Sequence, residues 1–258
     1  MSRFDHIQAE SPETSAPSTD EFDFDHYRGL ADRARNHGEF EKALRLYGRA
    51  LERDRARSEG WLGQVRVLLE MGQADEAETW LEQAARVLGE VPSILALRSI
   101  AAARAGKLDD ARAWSDRAMR DGGDDPEVWL ARAEVVYAGG NARVARMNLD
   151  KAHERAPSAE TALRAGEVAL ERDDRPTAQR WLARAANEQP DNPLVALRLG
   201  VCLERMNEWD RARNEFQRAL TLSPHMKSAQ LAIDDLDSRT WFARVMANVR
   251  GLFGGKRA

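Results

Sequence analysis

The chain has 258 residues, 43% of them hydrophobic and 32% charged, with a formal net charge of −4. That is enough apolar material for a core, but three tyrosines and few β-branched runs leave little from which to build a sheet. One cysteine, Cys202, excludes an internal disulfide or a cysteine-rich metal site, and no run approaches the roughly 20 apolar residues that span a bilayer.

Residues 1–23 carry Asp5, Glu10, Glu13, Asp20, Glu21 and Asp23 against Arg3 alone, among Ser, Thr and Pro. Low hydrophobicity with net charge predicts a disordered acidic tail. It lacks the apolar stretch of a secretory signal, so a cytoplasmic location is expected. The preference for Arg (34) over Lys (5) reads as the usage of a GC-rich bacterial genome.

From residue 24 to 226 one pattern returns six times. Ala43, Ala77, Ala111, Ala145, Ala178 and Ala212 form one series; Ala50, Ala84, Ala118, Ala152, Ala185 and Ala219 form a second. The step is 34 residues throughout, except for 33 between the fourth and fifth members. A fixed period of that length marks a helical solenoid. Four residues after each first alanine stands Tyr47, Leu81, Leu149, Leu182 or Phe216, with Ser115 as the exception. Sixteen residues before it stand Tyr27, Trp61, Leu95, Trp129, Ala162 and Ala196. A short loop, often with Gly (Gly72, Gly106, Gly140), precedes the first alanine, and five residues after the second comes a breaker in most units: Gly89, Gly123, Pro157, Pro190, Pro224. Small residues let two helices approach closely, large ones fill the space between units, and Pro or Gly ends each second helix. The spacing resembles the tetratricopeptide repeat, best in the last unit with Leu199-Gly200, Leu203, Ala212, Phe216, Ala219 and Pro224. It is least like it in the third, where Arg98-Ser99 replaces Leu-Gly.

The resemblance implies an all-α, right-handed solenoid of six helix pairs. A capping helix is expected over 227–237, with Leu231, Ile233 and Leu236 covering the sixth unit. Trp80, Trp114 and Trp181 share one place in three units and are read as packing residues, and Cys202 as a buried, inert thiol. The acidic loop Asp121-Gly122-Gly123-Asp124-Asp125 lacks the spacing of a calcium loop and is read as ending one helix and capping the next, with Pro126 at its first position.

Catalytic and cofactor chemistry find no residues to carry them. The histidines His6, His26, His37, His153 and His225 are scattered along the chain, with no i,i+4 pair for a metal. Neither a Gly-x-Ser-x-Gly elbow nor a Gly-x-Gly-x-x-Gly turn is present, and Gly254-Gly255-Lys256 lacks the first Gly and the hydroxyl of a phosphate loop. The reading is of a non-enzymatic scaffold with no cofactor, metal, nucleic acid or small-molecule substrate, whose partners are proteins.

In the resembled family the first helix of each unit lines the concave face. Carried onto this chain, the groove comprises Leu62, Arg66 and Leu69 in unit two and Ala96, Ile100 and Ala103 in unit three. It continues with Leu130, Glu134 and Tyr137; Leu163, Glu167 and Leu170; and Leu197, Val201 and Glu204 in units four to six. Residues three and four apart share a face, so the expectation is an apolar trough with a few charges, suited to an amphipathic helix or extended peptide. Family members that grip the acidic C-terminus of heat-shock chaperones use a clamp of Lys, Asn, Asn, Lys and Arg. At the matching positions this chain has Arg28, Asp32, Gly63, Ser93 and Leu97, a set that does not suit a carboxylate.

The segment 238–258 forms the last expectation. On a helical wheel Trp241, Phe242, Val245, Met246, Val249, Leu252 and Phe253 share one arc, opposite Arg239, Arg244, Asn248 and Arg250. Such a helix lies in an anionic membrane interface, docks on a partner protein or folds back over the solenoid's end. The first of these makes the chain a peripheral membrane adaptor.

Overall fold

A computed structural model describes residues 22–239. Twelve helices form six antiparallel pairs: α1 (Phe24–Asn36) with α2 (Phe40–Arg53), α3 (Ser58–Glu70) with α4 (Ala74–Leu88), α5 (Pro92–Arg104) with α6 (Leu108–Asp121). There follow α7 (Pro126–Ala138) with α8 (Ala142–Arg155), α9 (Ala159–Glu171) with α10 (Arg175–Glu188), and α11 (Pro193–Arg205) with α12 (Trp209–Leu222). A thirteenth helix, α13, occupies 227–239, and no strand occurs among the described residues.

All twelve repeat alanines have zero exposure. The reason lies in a small-to-large match in four of the six pairs. Twelve residues before each first alanine stand Ala31, Val65, Ser99, Ala133, Gly166 and Gly200. A Cβ placed on Gly166 would lie 2.6 Å from Leu182, and one on Gly200 2.5 Å from Phe216. The two helices therefore meet backbone to side chain. The second unit sets Val65 against Leu81, and the third departs from the pattern at both ends at once. Ser99 is larger than glycine, and the residue four beyond Ala111 shrinks to Ser115; both are buried, with Ser99 Oγ donating to the Ala96 carbonyl at 2.7 Å.

The turns repeat as faithfully as the core. Gly38, Gly72, Gly106 and Gly140 take φ between 73° and 82°, and Asp173 (57°) and Asn207 (63°) take their place in units five and six. The loop thus demands left-handed backbone, which Asp and Asn tolerate best among residues with a side chain. The 33-residue step arises where α8 joins α9, through the three residues 156–158, so the phase of both helices is preserved. Asp125 caps α7 by accepting from Glu127 N–H, and Pro126 opens that helix, as the acidic loop predicts. Asp23 likewise caps α1, and so belongs to the first unit rather than to the tail.

Trp61 and Trp129 donate to the carbonyls of Arg55 and Gly123, six residues upstream in each case, and so tie the inter-unit loops to the helices that follow. Trp181 is buried beside His153, while Trp114 lies between the guanidiniums of Arg98 and Arg117 at 5.2 and 4.7 Å. Cys202 has zero exposure, and burial pushes its thiol up to about 11. Along α13, Met226, Ala229 and Leu236 are buried in the core shared with α12, and Ile233 packs against it. Leu231 does not cover the sixth unit: it is 67% exposed, because it falls between the turns that face inward.

Two glycine substitutions separate the contact from the propensity. Gly200→Ala gains helix propensity but forces a methyl into the fully buried Phe216 ring, so a net loss of roughly 1–3 kcal/mol is expected. Gly48→Ala meets nothing within 4 Å and is expected to gain about 0.4–1 kcal/mol. Urea unfolding of both variants checks the pair of signs.

Candidate functional site: a charge-lined inner face

The first helix of each unit is wedged between its own partner and the units on either side. In α3, α5, α9 and α11 nine of thirteen residues are buried, whereas α4, α6 and α12 each bury three. Only a narrow strip of each first helix is left to face the axis of the solenoid. Counted back from the first alanine, that strip falls at positions −18, −14, −11 and −7, a 4-3-4 spacing that keeps one helix face.

The strip is mostly charged. Position −11 holds Arg66, Ile100, Glu134, Glu167 and Val201 in units two to six; position −7 holds Glu70, Arg104, Ala138, Glu171 and Arg205. Position −14 contributes Leu97, Arg164 and Arg198, and position −18 contributes Glu127 and Glu160. Most of the side chains in the first three rows, with Arg35, line a central cavity of about 200 Å³. A second opening, of about 360 Å³, lies between the first, second and fifth units and is bordered by Arg28, Asp32, Tyr47, Leu62 and Glu160.

The expected apolar trough is therefore one residue out of phase. The residues of its middle row, Arg66, Ile100, Glu134, Glu167 and Val201, all line the cavity. Its outer rows, at −15 and −8, point into the core. Leu130, Leu163 and Leu197 are buried between helices, and Tyr137 is buried with its hydroxyl donating to Asp174 at 2.8 Å. Leu69 and Leu170 nevertheless line the cavity as well, Leu62 borders the second opening, and Glu204 pairs with Arg239 at 3.4 Å instead of lining either. The error came from anchoring the stripe on large apolar side chains, which a helix buried on three sides spends on its core. The signal that locates the inner face is the reverse one: charges recurring at −11 and −7 in otherwise apolar helices.

The charges are paired, often across a unit. Glu127 of unit four, 4% exposed, accepts from Arg164 of unit five at 2.7 Å and from Arg66 of unit two. Burial alone pushes its carboxyl up, but Arg164 and Arg66 overcome this and hold it at about 2. Arg104 of unit three bonds Glu134 at 2.8 Å and reaches Glu171 of unit five at 2.9 Å. Arg198 pairs with Glu167 at 2.8 Å; burial opposes the ionised Glu167, yet Arg198 and Arg35 lower its pKa. Arg104 and Arg205 also donate to the carbonyls of Leu69 and Leu170 near the ends of α3 and α9, where a cation complements the helix dipole. Among the described residues, no group of His, Cys, Asp and Glu is placed to hold a metal ion. Of the segment 238–258 only Ser238 and Arg239 are described, with Arg239 paired with Asp235 at 2.6 Å. Trp241, Phe242, Arg244, Val245, Met246, Val249, Arg250, Leu252 and Phe253 lie outside the described residues.

The Glu127 cluster predicts a pH dependence with a definite sign. A carboxyl whose folded pKa lies below its unfolded value stabilises the fold above about pH 4.5, and that contribution is lost as the pH falls toward 2. Glu127→Gln is expected to cost about 3–5 kcal/mol at pH 7, since it leaves two guanidiniums facing one amide. In urea unfolding the difference from wild type should be smaller at pH 3 than at pH 7; an equal difference at both contradicts the pairing.

Residues 34–100 and 193–226 match two sequence families described as tetratricopeptide repeat. No curated protein matches the sequence. Among solved structures, the chain is similar to a tetratricopeptide repeat protein from Parabacteroides merdae (TM-score 0.51, 14% identity, covering 84% of this chain and 87% of that one). It is also similar to a chain of the APC/C hetero-tetramer Cut9-Hcn1 (TM-score 0.49, 14% identity, 83% of this chain), of whose length it spans 43%. A third is YrrB, a protein of the same repeat with an unusual peptide-binding site (TM-score 0.35, 23% identity, 66% of this chain and 88% of that one). At these identities the likeness is one of fold. With six units in register and two stretches matched by repeat families, the chain is a tetratricopeptide-repeat protein.

Proposed function

We propose that the chain is a non-enzymatic scaffold that binds a segment of a partner protein at its inner face. The observation that carries this reading is the inner strip itself: arginines and glutamates of all six first helices converge on one cavity instead of dispersing over the outside. The mixture of signs selects the partner. A phosphate backbone would meet Glu134, Glu167 and Glu171 as well as the arginines, which disfavours nucleic acid. A polypeptide segment bearing both charges and a few apolar side chains matches Leu97, Ile100 and Val201 among the ions. Both an extended segment and an amphipathic helix present side chains in that pattern.

A second reading rests on the sequence beyond residue 239, where an apolar arc with Trp241 and Phe242 opposes Arg244 and Arg250. It makes the chain a peripheral membrane adaptor, with that segment at an anionic bilayer and the inner face recruiting the client. Among the described residues no helix is long and apolar enough to cross a membrane. Flotation with anionic vesicles, performed with the full chain and with residues 238–258 removed, tests this reading: loss of flotation on removal supports it, and flotation by neither rejects it.

For the inner face the informative change is Glu171→Lys, because Glu171 is half exposed at the cavity and its reversal spares the core. Clients captured by the full chain and identified by mass spectrometry should bind the variant about tenfold more weakly, roughly 1.4 kcal/mol. Unchanged affinity for every client moves the site to the convex face or the tails. Tyr137→Ala, by contrast, reports on stability, since its hydroxyl serves Asp174.

The chaperone-tail clamp is absent in detail. Gly63 abuts the Tyr47 ring, Ser93 and Leu97 are buried, and Arg28 is engaged by Asp25 and Asp32. No measurable affinity for a Glu-Glu-Val-Asp peptide is expected by calorimetry at physiological salt; a micromolar dissociation constant contradicts the assignment of the inner face.

A further inference from the structure

The two ends of the solenoid touch. Arg35 of the first unit, 5% exposed, reaches Glu160 Oε1 at 3.2 Å and Glu167 Oε2 at 3.8 Å on α9. Ser223 Oγ donates to the His37 carbonyl at 3.4 Å, and Met226 sits 3.5 Å from where a Cβ on Gly38 would be. Units 125 to 186 residues apart in sequence thus close the solenoid into a ring.

This seam differs in kind from the other junctions. The buried apolar core runs unbroken through units four to six and α13, and a second core joins units two to four with Leu51 of the first unit. The buried apolar residues of the first unit fall outside the core of units four to six. The contacts across the seam include two ion pairs from Arg35, the Ser223 hydrogen bond, the contact at Met226 and a close approach of α1 to α11. The charges at the seam also keep partners on their own side of it. Arg35 holds Glu70 at 2.6 Å, Arg198 holds Glu167 at 2.8 Å, and Glu160 is 46% exposed to water. Separation therefore orphans no buried charge, which is the usual large penalty for breaking a buried pair. Each unit keeps its helix partner and its sequence neighbours.

We propose that this seam is a latch: the ring opens between the first unit and the fifth and sixth while every repeat stays folded, exposing the inner face along its length. Opening the seam widens the cavity that the inner strip lines. The latch stands on the seam alone and not on the identity of any ligand.

The test is double electron–electron resonance on the full chain with nitroxides at Glu41→Cys and Lys227→Cys, exposed positions flanking Gly38 and Met226. Cys202, wholly buried, takes no label. At low salt a single short distance is expected. Raising salt to about 1 M, where screening acts within roughly 3 Å, should add a longer population, and Glu160→Lys should add it at low salt, with far-ultraviolet circular dichroism unchanged in both. The salt series needs no variant at the seam, so it decides even if Glu160→Lys misfolds. One distance that neither salt nor the variant alters overturns the latch, as does a long distance at low salt. Neither result touches the scaffold reading, because no partner is present.

Discussion

The close approach of two helix backbones at each pair of alanines is the constraint on which everything else depends. With twelve side chains reduced to a methyl and sealed from water, the distance and rotation of each pair are fixed, and so is the direction in which every other position points. The large residue four beyond the first alanine must then find a small one opposite. Gly166 under Leu182 and Gly200 under Phe216 are tight instances within a pair, Gly63 under Tyr47 is one between units, and the Ser99 and Ser115 combination shows both positions changing together. Once the first helix is wedged on three sides, the only strip that can carry charge is the one facing the axis.

That strip gives the molecule a property that a linear stack of repeats lacks. In a solenoid each unit ordinarily meets only its neighbours. Here Glu127 joins units two, four and five, Arg104 joins three, four and five, and Arg35 joins one, two and five. The ion pairs are partly or wholly withdrawn from water, so leaving one partner alone is costly, while replacing a whole pair by apolar residues need not be. Their contribution is to set curvature and order among the units more than to add net stability, and they turn the inner face into a polar surface in a molecule whose core is otherwise Leu, Ala and Val.

Much of the fold was legible in the sequence because it is local and repeated. The alanine series, the glycines of the turns, Pro126 behind Asp125 and the inert Cys202 each follow from a rule about one helix or one loop. The inner face was half legible. Its −11 row was recognised, but Leu130, Tyr137, Leu163 and Leu197 were placed beside it when they belong to the core. A 100° step per residue makes adjacent rows easy to exchange when large apolar side chains are used as the guide. Charged Arg104, Glu171 and Arg205 at −7 carry the better signal, because a charge inside a mostly buried helix has only one direction open to it. The seam was not legible at all. Whether Arg35 meets Glu160 depends on a small rotation accumulated over five units, and no residue spacing records that sum.

The central claim is that non-neighbouring units are coupled through the inner face. A double-mutant cycle on Arg66→Met and Glu127→Gln, measured by equilibrium unfolding at pH 7, addresses it directly, because the two residues lie in units two and four. The account predicts a coupling energy of roughly 0.5–3 kcal/mol, with the double variant less destabilised than the sum of the singles. Additivity within about 0.3 kcal/mol would mean that the two units are energetically independent, and it would contradict the closed, charge-lined interior described above.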